Sequence, residues 1–92
     1  MKSVNASSKV KRRYILVEAR SKEVVQKALL EGLGTLGMAK AMVVFLTVRG
    51  QEKEIVFSIE RDALDSVRAV FELAKETVKI VRVSGTLKGL EK

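Results

Sequence analysis

The chain predicts an α+β two-layer sandwich, a four-stranded antiparallel sheet with two helices on one face. Three observations carry this: apolar residues alternate from Arg13 to Ala19 and three further stretches are rich in β-formers, apolar residues follow a helical period in two others, and the order along the chain is β-α-β-β-α-β with no internal repeat. Ninety-two residues are enough for one such core and too few for a second.

The elements follow in order. Residues 1–12 are small, polar and basic without periodicity, and are expected to form a flexible arm ahead of a single domain at 13–92. From Arg13 to Ala19 the side chains alternate, Ile15, Val17 and Ala19 on one face and Tyr14, Leu16 and Glu18 on the other, which makes a strand. Ser21 is a helix N-cap and Glu23 suits a first turn. Val25, Ala28, Leu29, Gly32, Leu33 and Leu36 then recur at helical spacing until Gly34 and Gly37 end or loosen the helix. Met42 to Arg49 and Glu54 to Glu60 are rich in β-formers and are joined by the polar, Gly-containing segment Gly50 to Lys53, so they read as a hairpin. Its core face is expected to hold Met42, Val44, Leu46, Val48, Ile55, Phe57 and Ile59. Asp62, with Asp65 three residues on, is expected to cap a second helix whose apolar stripe is Leu64, Val67, Val70, Phe71 and Ala74, with Arg68 and Glu72 outward. Val78 to Val83 closes the sheet and runs into Ser84-Gly85-Thr86.

This order is the split βαβ arrangement of ferredoxin-like and RRM-like sandwiches, in which one sheet face stays open. The expected open-face residues Tyr14, Leu16, Val43, Phe45 and Val56 are unusually apolar for a surface meant for water, which points to a protein partner, a second copy of the chain, or stacked bases. Base stacking needs aromatic residues on the central strands. The third strand carries only Phe57, on the expected core face, so a protein contact is the better reading. Two other occupants of this fold, a small-molecule regulatory domain of the ACT type and an acylphosphatase, need a Gly-bearing loop after the first strand, where this chain has Arg20-Ser21-Lys22.

Composition narrows the chemistry. With neither His nor Cys there is no imidazole base, thiolate nucleophile, disulfide or N/S metal cage, and the carboxylates, Lys, Tyr14 and hydroxyls form no recognisable catalytic spacing. No catalytic residue, metal ligand or bound cofactor is therefore assigned, and the chain reads as a binder. The longest apolar run, Ala41 to Leu46, is far too short for a bilayer, and no secretory leader is recognisable, so a cytoplasmic location is expected.

The charge is uneven. Lys2, Lys9, Lys11, Arg12, Arg13, Arg20 and Lys22 stand against Glu18 alone in residues 1–22, which holds +6 of the formal net charge of +7. A basic arm releases counterions from a polyphosphate, which favours nucleic acid over a small anion. At the other end of the chain, Ser84-Gly85-Thr86 offers hydroxyls and strand-end backbone N–H groups beside Lys79, Arg82 and Lys88, a surface that suits phosphate as well as it suits a plain turn. The expected RNA contacts are Lys9, Lys11, Arg12, Arg13, Arg82, Ser84, Gly85, Thr86 and Lys88.

Three stretches carry a family likeness: Arg13-Tyr14-Ile15 opening the first strand, Ala63-Leu64-Asp65-Ser66-Val67-Arg68-Ala69 starting the second helix, and Val81-Arg82-Val83-Ser84-Gly85-Thr86-Leu87-Lys88. In these the chain resembles ribonuclease P protein component 2 of archaea, a relative of a eukaryotic ribonuclease P and MRP subunit. The resemblance implies a non-catalytic subunit of a ribozyme, in which the RNA with Mg²⁺ removes the 5′ leader from precursor tRNA while the protein supports the RNA's catalytic region. It also implies a larger barrel-shaped subunit, component 3, as protein partner. Arg13, Tyr14, Arg68, Arg82, Ser84, Gly85, Thr86 and Lys88 fall at matching positions. Relatives commonly continue past the Ser-Gly-Thr segment, whereas seven residues follow Gly85 here. The alternative is a self-associating interaction module, such as a homodimer, whose basic arm is incidental.

Overall fold

Antiparallel pairing assembles four strands in the order β2-β3-β1-β4 in the computed structural model, which describes residues 11–46 and 54–90. The strands are β1 (Arg12–Glu18), β2 (Val44–Leu46), β3 (Glu54–Glu60) and β4 (Lys79–Ser84). The helices are α1 (Lys22–Ala41), α2 (Leu64–Leu73) and a short α3 (Leu87–Leu90). The α+β, ferredoxin-like two-layer arrangement is as the sequence predicts. The expected arm up to Val10, with Lys9, and the expected hairpin loop at 50–53, with Val48 before it, lie outside the described residues.

The core lies between the sheet and the pair α1 and α2. Ile15 and Val17 from β1 and Phe57 and Ile59 from β3 are fully buried against Val25 and Leu29 of α1 and Val67 of α2. Phe71 meets Phe57 edge-on at 6.1 Å between ring centroids, a favoured aromatic geometry. Strand β1 sits at the centre, paired with both β3 and β4, so its alternation decides which residues of its neighbours are buried.

Helix α1 begins where expected: the Ser21 hydroxyl accepts a hydrogen bond from the Val24 N–H at 3.3 Å. Its end differs. Gly34, at φ 77° and ψ 171°, leaves the helical region and loosens α1 with a kink as expected, but the helix resumes beyond it and runs to Ala41. It stops at Met42, a left-handed C-cap with φ 54° whose N–H reaches the carbonyls of Met38 and Ala39. The Gly-poor run Met38 to Ala41 is helix-favouring, and this outweighs the break at Gly34.

The longer helix delays the second strand, and its faces are the reverse of those expected. Phe45 lies directly opposite Phe57, with ring centroids 5.4 Å apart, and Val43 and Phe45 both pack against the main core. Val44 and Leu46 occupy the other face, and Val44 is 48% exposed. Directly opposed residues of antiparallel strands share a face, so the buried Phe57 fixes Phe45 as a core residue. Met42 stands outside the strand as a cap and is exposed.

The start of α2 also differs. The Glu60 carboxylate accepts the Asp62 N–H at 3.0 Å and opens a 3₁₀ turn, Arg61–Ala63. The α-helix then starts at Leu64 with Ala63 as an N-cap that makes no side-chain bond, so Asp62 is not its cap. The helices approach closely where a Cβ on Gly32 would lie 2.5 Å from a methyl of Val70.

Candidate nucleic-acid interface

β1 starts where β3 and β4 end, because both pair with it antiparallel, and this brings distant basic residues to one end of the sheet. Lys11, Arg12 and Arg13 enter β1 there, and the Arg61 N–H donates to the Lys11 carbonyl at 2.8 Å. Ser84 lies opposite Tyr14, and an Arg13 guanidinium nitrogen comes within 3.5 Å of where a Gly85 Cβ would stand. Lys88 follows on α3, exposed. The acids near this end are Glu60, Asp62 and, in the first turn of α2, Asp65, and Asp62 pairs with Arg61 at 3.6 Å. The opposite end of the sheet and its loops carry Arg20, Lys22, Lys75 and Lys79 against Glu18, Glu23, Glu54 and Glu76, which is balanced, and there Arg20 pairs with Glu76 at 2.9 Å. The field of the described fold is therefore most positive where β1 begins and β4 ends.

The expected contacts are not equivalent. Arg12 lies across the open face, donating through Nε (3.2 Å) and Nη2 (2.7 Å) to the Ser58 hydroxyl and through Nη2 to the Met42 carbonyl. It ties β1 to β3 and to the end of α1, and it satisfies Ser58, which is only 3% exposed. Arg12 is thus a structural strap, and β1 begins at it, one residue before the expected domain boundary. Arg13 is half-buried and donates to the Arg12 carbonyl at 3.1 Å. Arg82 is exposed on β4, with Leu16 as its partner in register.

The Ser84-Gly85-Thr86 segment is a helix-starting turn. The Thr86 N–H donates to the Ser84 hydroxyl at 3.2 Å, and the Gly89 N–H donates to the Thr86 hydroxyl at 3.1 Å. Two strand-end groups expected to face phosphate are in this way committed to launching α3. Helix α3 turns back over the sheet, where Leu90 caps Leu16 and Val56 with Tyr14 and Leu46 around them. Of the five residues expected on the open face, Tyr14, Leu16 and Val56 are there, with Leu16 and Val56 covered by Leu90, while Val43 and Phe45 belong to the opposite layer.

Sequence reasoning missed Arg61. The signal was present: it directly follows β3, and the antiparallel order places the end of β3 beside the start of β1. A groove of about 570 Å³ between α1 and α2, bordered by Ala28, Leu33, Val70 and Leu73 with Glu31, Ser66 and Lys75 among them, lies on the helical layer. Among the described residues no cluster of His, Cys, Asp or Glu is arranged as metal ligands, and no helix is long and apolar enough to cross a membrane. No family model matches the chain, and no curated protein matches it either.

Proposed function

We propose that the chain is a protein subunit of ribonuclease P that has no catalytic residues of its own and supports the catalytic RNA, which with its Mg²⁺ removes the 5′ leader from precursor tRNA in the cytoplasm. The observation that carries this reading is the convergence of Lys11, Arg13, Arg61 and Lys88 at one end of the sheet, beside the segment Val81 to Lys88 that resembles archaeal component 2. Cations gathered at one end of the sheet match the repeating negative charge of a folded RNA. Arg12 serves this surface indirectly, by holding the start of β1 in place. The open face, through Tyr14, Leu46 and the exposed Val44, meets the barrel-shaped partner subunit.

The test is reconstitution. Precursor tRNA cleavage by a catalytic ribonuclease P RNA is measured with and without this chain and a barrel-shaped subunit, and binding of the chain to that RNA is titrated against salt. Cleavage should rise when both proteins are added, and log affinity should fall linearly with log salt, with a slope that drops by about one for each phosphate-contacting cation removed. A flat salt response with self-association favours the homodimeric module, and cleavage by the chain alone refutes both readings.

A further inference from the structure

Leu90 is apolar and buried, yet it settles where the exposed Lys88 stands. It is 5% exposed and seats on Leu16 and Val56, on the sheet face away from α1 and α2. Helix α3 is a single turn, Leu87–Leu90, and a turn of that length does not hold itself together. Its fastening has three parts. The Thr86 N–H donates to the Ser84 hydroxyl and the Gly89 N–H to the Thr86 hydroxyl, which ties the turn to the end of β4. Gly89 lets the turn close, since a Cβ there would collide with the Ser84 Oγ. Leu90 then pins the far end to the sheet. Successive helical residues are turned by about 100°, so Lys88, two before Leu90, is turned by about 200° from it and projects away from the sheet when Leu90 is seated. Lys88 is exposed there and makes no ion pair among the described residues.

We propose that Leu90 is a positioning residue for RNA binding: seated on Leu16 and Val56, it holds Lys88 outward at the end of the sheet where Arg13 approaches Gly85, so that Lys88 meets phosphate already ordered. This rests on the reading of that end as an RNA contact and adds the residue that sets its geometry. With the seat empty, the turn would have to be ordered again in the complex, at an entropic cost that offsets what one cation gains. Leu90 and Lys88 are therefore one unit, and removing either removes the same phosphate contact.

Binding to a catalytic ribonuclease P RNA is titrated against salt for the full chain, Lys88→Ala, Leu90→Ser and the double variant. Each single variant should make the log–log slope shallower by about 0.7–0.9 and weaken binding roughly five- to eightfold at about 0.1 M salt. The double variant should lose no more than either alone. Leu90→Met, which refills the seat, should bind as the parent chain does. A leucine that serves stability alone would lower the folded fraction without moving the slope. Hydrogen exchange locates the cause: in Leu90→Ser the Thr86 and Gly89 amides should lose protection while the β1–β3 ladder keeps it. With a steep slope in the parent, an unaltered slope in either single variant, additive losses in the double variant, unchanged exchange or an unfolded Leu90→Ser overturns the positioning role alone. A flat slope in the parent chain overturns it together with the ribonuclease P reading.

Discussion

Arg12→Ala tests whether this arginine is a strap or a phosphate contact. The substitution removes both bonds to the Ser58 hydroxyl, at 3.2 and 2.7 Å, and the one to the Met42 carbonyl, leaving a hydroxyl in a residue only 3% exposed without those donors. Stranding a buried polar group costs about 1–3 kcal/mol. For a domain of this size each kcal/mol lowers Tm by about 4–8 °C, so the expected fall is about 4–24 °C. Removing the acceptor as well should recover part of this, because deleting both members of a buried pair is milder than deleting one. Thermal melts of Arg12→Ala, Ser58→Ala and the double variant form the cycle, with an expected coupling of about 1 kcal/mol. RNA binding is measured in parallel below the melts, where the salt slope should stay as in the parent chain. An unchanged Tm together with a slope reduced by about one would refute the strap and return Arg12 to the phosphate contacts.

The remaining predictions concern the faces, the helices and the basic end. Phe45→Asp should cost about 3–5 kcal/mol and abolish the folded monomer by circular dichroism, while Val44→Asp should stay within about 1 kcal/mol of the parent; the reverse ranking would restore the alternative strand faces. Gly32→Ala forces a Cβ to within 2.5 Å of Val70 and should destabilise by about 1–2 kcal/mol in urea titrations despite alanine's better helix propensity, with relief when Val70→Ala is added. Replacing Lys11, Arg13, Arg61 and Lys88 by Ala should flatten the salt dependence of RNA binding while leaving the urea midpoint within about 10%, since none of them fills the core.

The fold was legible because Ile15 and Val17, then Ile55, Phe57 and Ile59, recur at every second position, while Glu18, Glu54, Ser58 and Glu60 stand among the residues of the other face and outweigh the apolar Leu16 and Val56 there. The hairpin's first strand was not, since Met42 to Leu46 is apolar at every position and period two assigns no face to such a run. Its orientation came from where α1 stops, at a left-handed methionine that local propensity does not announce. At the candidate interface the residue types could be read from the chain, but their employment could not. Arg12 faces a buried serine forty-six residues away, and Ser84 and Thr86 turn their hydroxyls to their own backbone. Arg61 and α3 escaped notice for related reasons, one needing the strand pairing and the other resting on a single leucine.

The register shift between Leu16 and Val17 leaves Val81 as an extra residue on β4, without a partner across the ladder. A bulge of this sort coils its strand more tightly, and with Lys79 and Arg82 on the same edge it makes a poor template for an incoming chain. Growth of the sheet by strand addition is thereby confined to the border formed by β2, so fibril-like stacking through both margins is frustrated from one side.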